Sequence, residues 1–124
     1  MSKKPTILLI DDRAENLRIR CKLLEQFGCD TISVADYQGA LKTVTERQVD
    51  LLVIDYHLAD GRNGEEITRD VRKMRPDIPL IMLTGAAFLP ESAYESVDAV
   101  LIKGVNSPRE LLRLIESFLP QPRP

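Results

Sequence analysis

The chain has 124 residues, 44% hydrophobic and 29% charged, with three Tyr, three Phe and no Trp. That size suits one domain with no space for a second folded module, and the regular apolar runs argue against disorder. A formal net charge of −2 gives no general attraction to nucleic acid or to anionic membranes, so neither is expected as a direct partner.

The start, Met1 to Pro5, has no apolar stretch of the kind a leader carries, and no apolar run is long enough to span a bilayer. A cytoplasmic location is the expectation. Thr6–Ile10 is the first apolar run and predicts a strand. From Asp12 or Arg13 to Phe27 the periodicity predicts a helix, with Leu17, Cys21 and Leu24 on one stripe and Ile19, Leu23 and Phe27 beside it. Gly28 stands where a left-handed cap ends such a helix. Thr31–Val34 alternates between polar and apolar residues, which suits an edge strand. A second helix is expected at about Gln38–Arg47.

Leu51–Ile54, Leu80–Leu83 and Ala99–Ile102 are apolar throughout, as parallel strands covered on both faces should be. Between them, Asn63-Gly64-Glu65-Glu66 starts a third helix with a capping residue three before a Glu. A short fourth helix, about Pro90–Ser96, has no obvious cap. Ser107-Pro108-Arg109-Glu110 opens the fifth with a capping box and Pro at its first position, ahead of Leu111, Leu112, Leu114, Ile115, Phe118 and Leu119. Three prolines in residues 120–124 predict an extended tail or the start of a linker. Strands alternating with helices imply right-handed βαβ units. The expected fold is α/β, a flavodoxin-like (βα)5 three-layer sandwich whose parallel five-stranded sheet has the order 2-1-3-4-5.

In such a sheet, ligands bind beyond the carboxyl ends of the strands. Polar, reactive residues follow four of the apolar runs: Asp11 and Asp12, Asp55, Thr84, and Lys103. Three carboxylates and one ammonium sum to −2, which a divalent cation would bring to zero, and oxygen-only ligands suit Mg²⁺. The parts match phosphoryl transfer: Asp55 as nucleophile and future aspartyl phosphate, Lys103 as fixed cation, and the Thr84 hydroxyl as hydrogen-bond donor. Taken singly, an Asp after a strand is often only a turn former or a helix cap. Five such residues at four strand ends make a chemically complete set.

The pieces LLIDDR (8–13), LLVIDYHLADGRNGEEI (51–67), LIMLTG (80–85) and VLIKG (100–104) resemble the receiver domain of two-component response regulators. The resemblance implies a receiver domain over residues 1–119, with 120–124 as tail. It implies phosphorylation on Asp55 by a partner histidine kinase or histidine phosphotransfer protein, output through a downstream protein that the sequence does not name, and a phosphoacceptor in place of a turnover enzyme. It further implies Mg²⁺ held by the acids Asp11 and Asp12, with Asp12, Asp55 and the backbone carbonyl of His57 as ligands. Thr84 and Lys103 would contact the phosphoryl group, helped by backbone amides after Asp55 and at Gly85. His57 itself is expected as a side chain at the mouth of the site and not as a phosphate donor, since donor histidines sit on exposed helix faces.

Departures from the family pattern bear on switching. Gly104 follows Lys103 where the family usually has a cis-Pro, and Val100 stands where an aromatic switch residue is common; Tyr94 and Phe88 are the nearby aromatics. The fourth helix is short, Ala59 replaces a frequent Pro, and the 60–64 loop is about one residue longer, as in receivers attached to hybrid kinases. These departures support an alternative, a pseudo-receiver acting as an interaction module with weak or absent switching. A small phosphatase or a flavin or nucleotide binder fits less well, because no Gly-rich phosphate loop is present and His57 stands where a general acid is needed. Cys21 and Cys29 lack metal or redox spacing and are expected to be reduced. Arg69, Arg72, Lys73 and Arg75 are expected to pair with acids on their own helix, Glu65 with Arg69 first among them.

Overall fold

The computed structural model describes residues 4–58, 63–85 and 89–119. The expectations for Met1, Ala59, residues 60–62, Phe88 and the 120–124 tail therefore lie outside the described residues. Ten elements alternate along the chain: β1 (Thr6–Ile10), α1 (Ala14–Gln26), β2 (Asp30–Val34), α2 (Tyr37–Glu46), β3 (Leu51–Asp55), α3 (Gly64–Met74), β4 (Leu80–Thr84), α4 (Glu91–Glu95), β5 (Ala99–Ile102) and α5 (Pro108–Phe118). The strands form one parallel sheet in the order β2-β1-β3-β4-β5, as the alternation predicted.

Alternate residues of each strand point to opposite faces, so the sheet divides the core in two. Leu8, Ile10, Leu52, Ile54 and Met82 meet Ala40 and Val44 of α2, Ile67 and Val71 of α3 and Ala93 of α4. Ile7, Leu9, Leu51, Val53 and Ile81 meet Leu24 of α1 and Leu111, Leu112 and Ile115 of α5. The central strands β3 and β4 are buried along their whole length, whereas no residue of β2, at the sheet's edge, is fully buried, and Asp30 and Ser33 are exposed. Strand β5 departs from its apolar reading. It lies at the opposite edge with one neighbouring strand, and all four residues are only half-buried.

Capping follows the local sequence. Asp36 caps α2 by accepting from the Gly39 amide, and Asn63 caps α3 by accepting from the Glu66 amide. The Ser107–Glu110 capping box of α5 is complete, with Pro108 at its first turn. Helix α1 ends where Gly28 takes φ +85°, with the Cys29 amide on the Leu24 carbonyl and the Gly28 amide on the Glu25 carbonyl. Of the second apolar row expected on α1, only Leu23 packs against the core; Ile19 and Phe27 are exposed. Cys21 and Cys29 are both free thiols. Among the described residues, no helix is long and apolar enough to cross a membrane.

Candidate functional site

Parallel pairing in register brings the strand ends level: Ile10 pairs with Ile54, Asp55 with Leu83, and Thr84 with Ile102. The residues that follow therefore gather at one edge of the sheet, where the order passes from β1 to β3. Carboxylate oxygens of Asp11, Asp12 and Asp55 lie within 4.8 Å of one another, with Asp11 and Asp55 buried and Asp12 exposed. Lys103, just past β5, places Nζ 2.6 Å from Asp55 Oδ2. Thr84 closes β4 as a buried residue, and its carbonyl accepts from the Lys103 amide at 2.7 Å. Gly85 beyond it is exposed. Asp55 Oδ1 accepts from the His57 amide at 3.2 Å, and the exposed His57 ring stands edge-on to Tyr56. All the predicted site residues thus reach one edge of the sheet, and three carboxylates and one ammonium meet there directly.

The three converging donors are hard oxygens of one charge, a set that suits Mg²⁺ better than a softer metal. The surrounding charge differs from the sequence-based count. Arg20, on the second turn of α1, puts Nη1 2.7 Å from Asp11 Oδ2, and its side chain is only 16% exposed. Three carboxylates with Lys103 and Arg20 sum to −1, not −2. Asn16 Nδ2 also donates to Asp11 Oδ2, at 3.3 Å, and the Arg13 amide donates to Oδ1 at 2.9 Å. Burial alone would push the Asp11 carboxyl up; the Arg13 amide, the hydrogen bond and charge of Arg20 and the charge of Lys103 outweigh it and hold the group below its ordinary value.

Two backbone devices were missed by sequence reasoning. Gly64 begins α3 directly on the end of β3, with its amide on the Tyr56 carbonyl at 2.7 Å. A Cβ there would sit 2.8 Å from the Asp55 carbonyl oxygen and 3.0 Å from Tyr56 Cα, closer than backbone atoms tolerate. Its only sequence signal is a Gly at the first position of a capped helix. The second device is the turn that carries Lys103. The Val105 amide donates to the Ile102 carbonyl at 3.2 Å and Gly104 takes φ +82°, the arrangement of a type II turn with Gly at its third position. Asn106 then accepts from the Ile102 amide at 2.7 Å and donates to Glu110 at 2.6 Å, tying the turn to α5. Gly104 in place of the family's Pro is accommodated by this turn.

Elsewhere the expectations are met in part. Val100, half-buried, packs against the core on the α2–α3–α4 face, while Tyr94 on α4 is exposed. Helix α4 is held to α3 by Ser92 on Glu65 at 3.0 Å and by the Ser96 hydroxyl, 2.8 Å from that of Thr68. On α3, Arg69 pairs with Glu65 as expected, but Arg72, and Arg75 at the helix's C-cap, pair with Asp98 and Asp77 beyond the helix.

A family model described as the response regulator receiver domain matches residues 7–116. Among curated proteins, the transcriptional regulatory protein GlrR of Escherichia coli K12 is 27% identical, over 100% of this chain and 28% of its own length. The phosphate regulon transcriptional regulatory protein PhoB of the same organism is 32% identical, over 63% of this chain and 34% of its own length. The chain thus spans about a third of these relatives. Among solved structures, a CheY-like receiver domain protein from Methanospirillum hungatei JF-1 superposes with TM-score 0.85 at 30% identity, covering 92% of each chain. The response regulator TrrA of Thermotoga maritima, solved in complex with Mg(2+)-BeF, has the same fold with TM-score 0.85 at 23% identity, covering 93% of this chain and 99% of TrrA.

Proposed function

The chain belongs to the response regulator receiver domain family, and from that premise we propose that it is a phosphoacceptor in a cytoplasmic two-component relay, taking a phosphoryl group on Asp55. The observation that carries this reading is the Lys103–Asp55 pair at 2.6 Å, with Asp55 in a cluster of three carboxylates whose oxygens lie within 4.8 Å of one another. The donor is a histidine kinase or histidine phosphotransfer protein. The Asp55 carboxylate attacks phosphorus, the bond to the imidazole nitrogen breaks, and the electron pair leaves with the imidazole. Lys103 neutralises Asp55 Oδ2 beforehand and passes to a phosphoryl oxygen afterwards. Thr84 donates its hydroxyl to another, and the amides at His57 and Gly85 line the remaining side. Asp11, Asp12, Asp55 and the His57 carbonyl would hold Mg²⁺, which would supply charge neutralisation for the phosphoryl oxygens. Residues 1–119 act as the receiver unit, and output passes through contacts with a downstream protein.

Incubation with acetyl phosphate and Mg²⁺ should give a single phosphoryl adduct by intact mass, absent in Asp55→Ala. No adduct, together with no binding of beryllofluoride, would overturn the reading. The packing of half-buried Val100 against the core, where an aromatic is common, favours a second reading, acceptance without the usual aromatic switch. An adduct that leaves amide exchange over residues 84–104 unchanged would support that interaction-module or phosphate-sink behaviour.

A further inference from the structure

Helix α1 carries three basic residues, Arg18, Arg20 and Lys22, behind Arg13 at its N-cap, and Arg13, Arg18 and Lys22 are exposed. Arg20 turns inward. It lies one helical turn beyond Asn16, so both side chains leave the helix on the face above Asp11. Asp11 is fully buried and accepts three hydrogen bonds from within the chain, from the Arg13 amide, Asn16 and Arg20. A carboxylate has about four acceptor sites, so this one is nearly saturated before any ligand arrives.

We propose that Arg20 is a resident counter-ion of the acid cluster that neutralises Asp11 and weakens the hold of the site on its divalent cation. The inference rests on the metal-assisted reading above. The net charge around the metal position is −1 with Arg20 and −2 without it. Divalent binding responds directly to that difference, because the cation would approach a carboxylate cluster whose innermost member is already paired. A guanidinium suits this role, since it stays protonated and its planar fork holds a carboxylate in fixed geometry. The consequence is a receiver whose metal occupancy depends on the ambient Mg²⁺ level and does not saturate at low concentration.

The test is the Mg²⁺ dissociation constant by calorimetry near neutral pH, for the wild type, Arg20→Met, Arg20→Gln and Arg20→Lys, each checked for native circular dichroism. Loss of the charge should tighten Mg²⁺ binding by about tenfold in the Met and Gln variants. Arg20→Lys, which keeps the charge, should stay near the wild type. Gln retains a hydrogen-bond donor and gives a second neutral variant if Met does not fold. A merely structural Arg20 would lower affinity when removed, so equal or weaker binding in the neutral variants overturns the proposal while leaving phosphorylation of Asp55 intact. If neither the wild type nor any variant binds Mg²⁺, the metal-assisted reading fails together with this proposal.

Discussion

Two ion pairs close the carboxyl edge of the sheet from opposite sides, and they are built differently. Lys103–Asp55 is a single contact of 2.6 Å from a flexible ammonium whose side chain is 32% exposed. It is carried on a turn held by Gly104 and Asn106. Arg20–Asp11 is equally close at 2.7 Å, but it joins a shielded guanidinium to a fully buried carboxylate that two other donors also hold. The first is fit to change partners and the second to stay. An ammonium on a four-carbon stem can follow a charge that moves to a new oxygen, whereas a guanidinium locked among neighbours sets a standing potential.

Breaking the mobile pair should have the largest effect. Lys103→Met keeps the apolar stem and removes the charge that, on the proposed function, would stabilise the transferred group. The rate of labelling by acetyl phosphate should fall by about a hundredfold or more, the usual consequence of removing a fixed electrostatic contact to the reacting oxygens. Mg²⁺ binding should persist, because the acid cluster is untouched. Labelling within tenfold of the wild type would show that the pair serves only to hold the fold.

The next largest effect concerns the turn beneath that lysine. At φ +82° an L-residue is strained, and proline, fixed near φ −65°, is incompatible. Gly104→Ala should cost about 1 kcal/mol and Gly104→Pro more, read from urea unfolding midpoints. Restoring the residue that the family usually has would therefore harm this chain. Both variants should slow Asp55 labelling while leaving Mg²⁺ affinity near the wild type, since Arg20 and Asp11 lie on the other side of the sheet edge. A Gly104→Pro protein as stable as the wild type would mean that the turn can be rebuilt around a different backbone.

The same asymmetry explains what could be read in advance. The sheet order followed from five apolar runs, and Asp11, Asp55, Thr84 and Lys103 were legible because each follows such a run, a one-dimensional signal that survives folding. Arg20 carries no such signal. It stands among other basic residues on a helix, and only the packing of α1 over β1 shows that its face meets Asp11. Gly64 was illegible for the same reason, because its need for a bare Cα comes from the distant end of β3. The half-exposure of β5 is not legible in its apolar run, because that run specifies a strand but not how far the helices cover its two faces, although the expected order already set it at an edge. Ile19 and Phe27 continue the helical period of α1 past the width of the face that the sheet can cover.

The smallest expected effect bears on the fixed pair and appears as acid sensitivity. Asp11 is held below its ordinary value of 3.8, with burial opposing the shift and the Arg13 amide and Arg20 prevailing. A carboxyl depressed in the folded state contributes stability that is fully present above the unfolded value and is lost as pH falls through the folded one. Acidifying the wild type from about pH 5 toward pH 3 and below should therefore lower its urea midpoint. In Arg20→Met the desolvation remains and the strongest charged partner is gone, so Asp11 takes up its proton at higher pH and the loss on acidification becomes shallower. The other carboxyls titrate in both proteins, so the difference between the two slopes isolates the Arg20 contribution. Parallel slopes would mean that the Arg13 amide and the charge of Lys103 hold Asp11 ionised without Arg20, and that Arg20 sets the potential at the metal position without securing the charge of its partner.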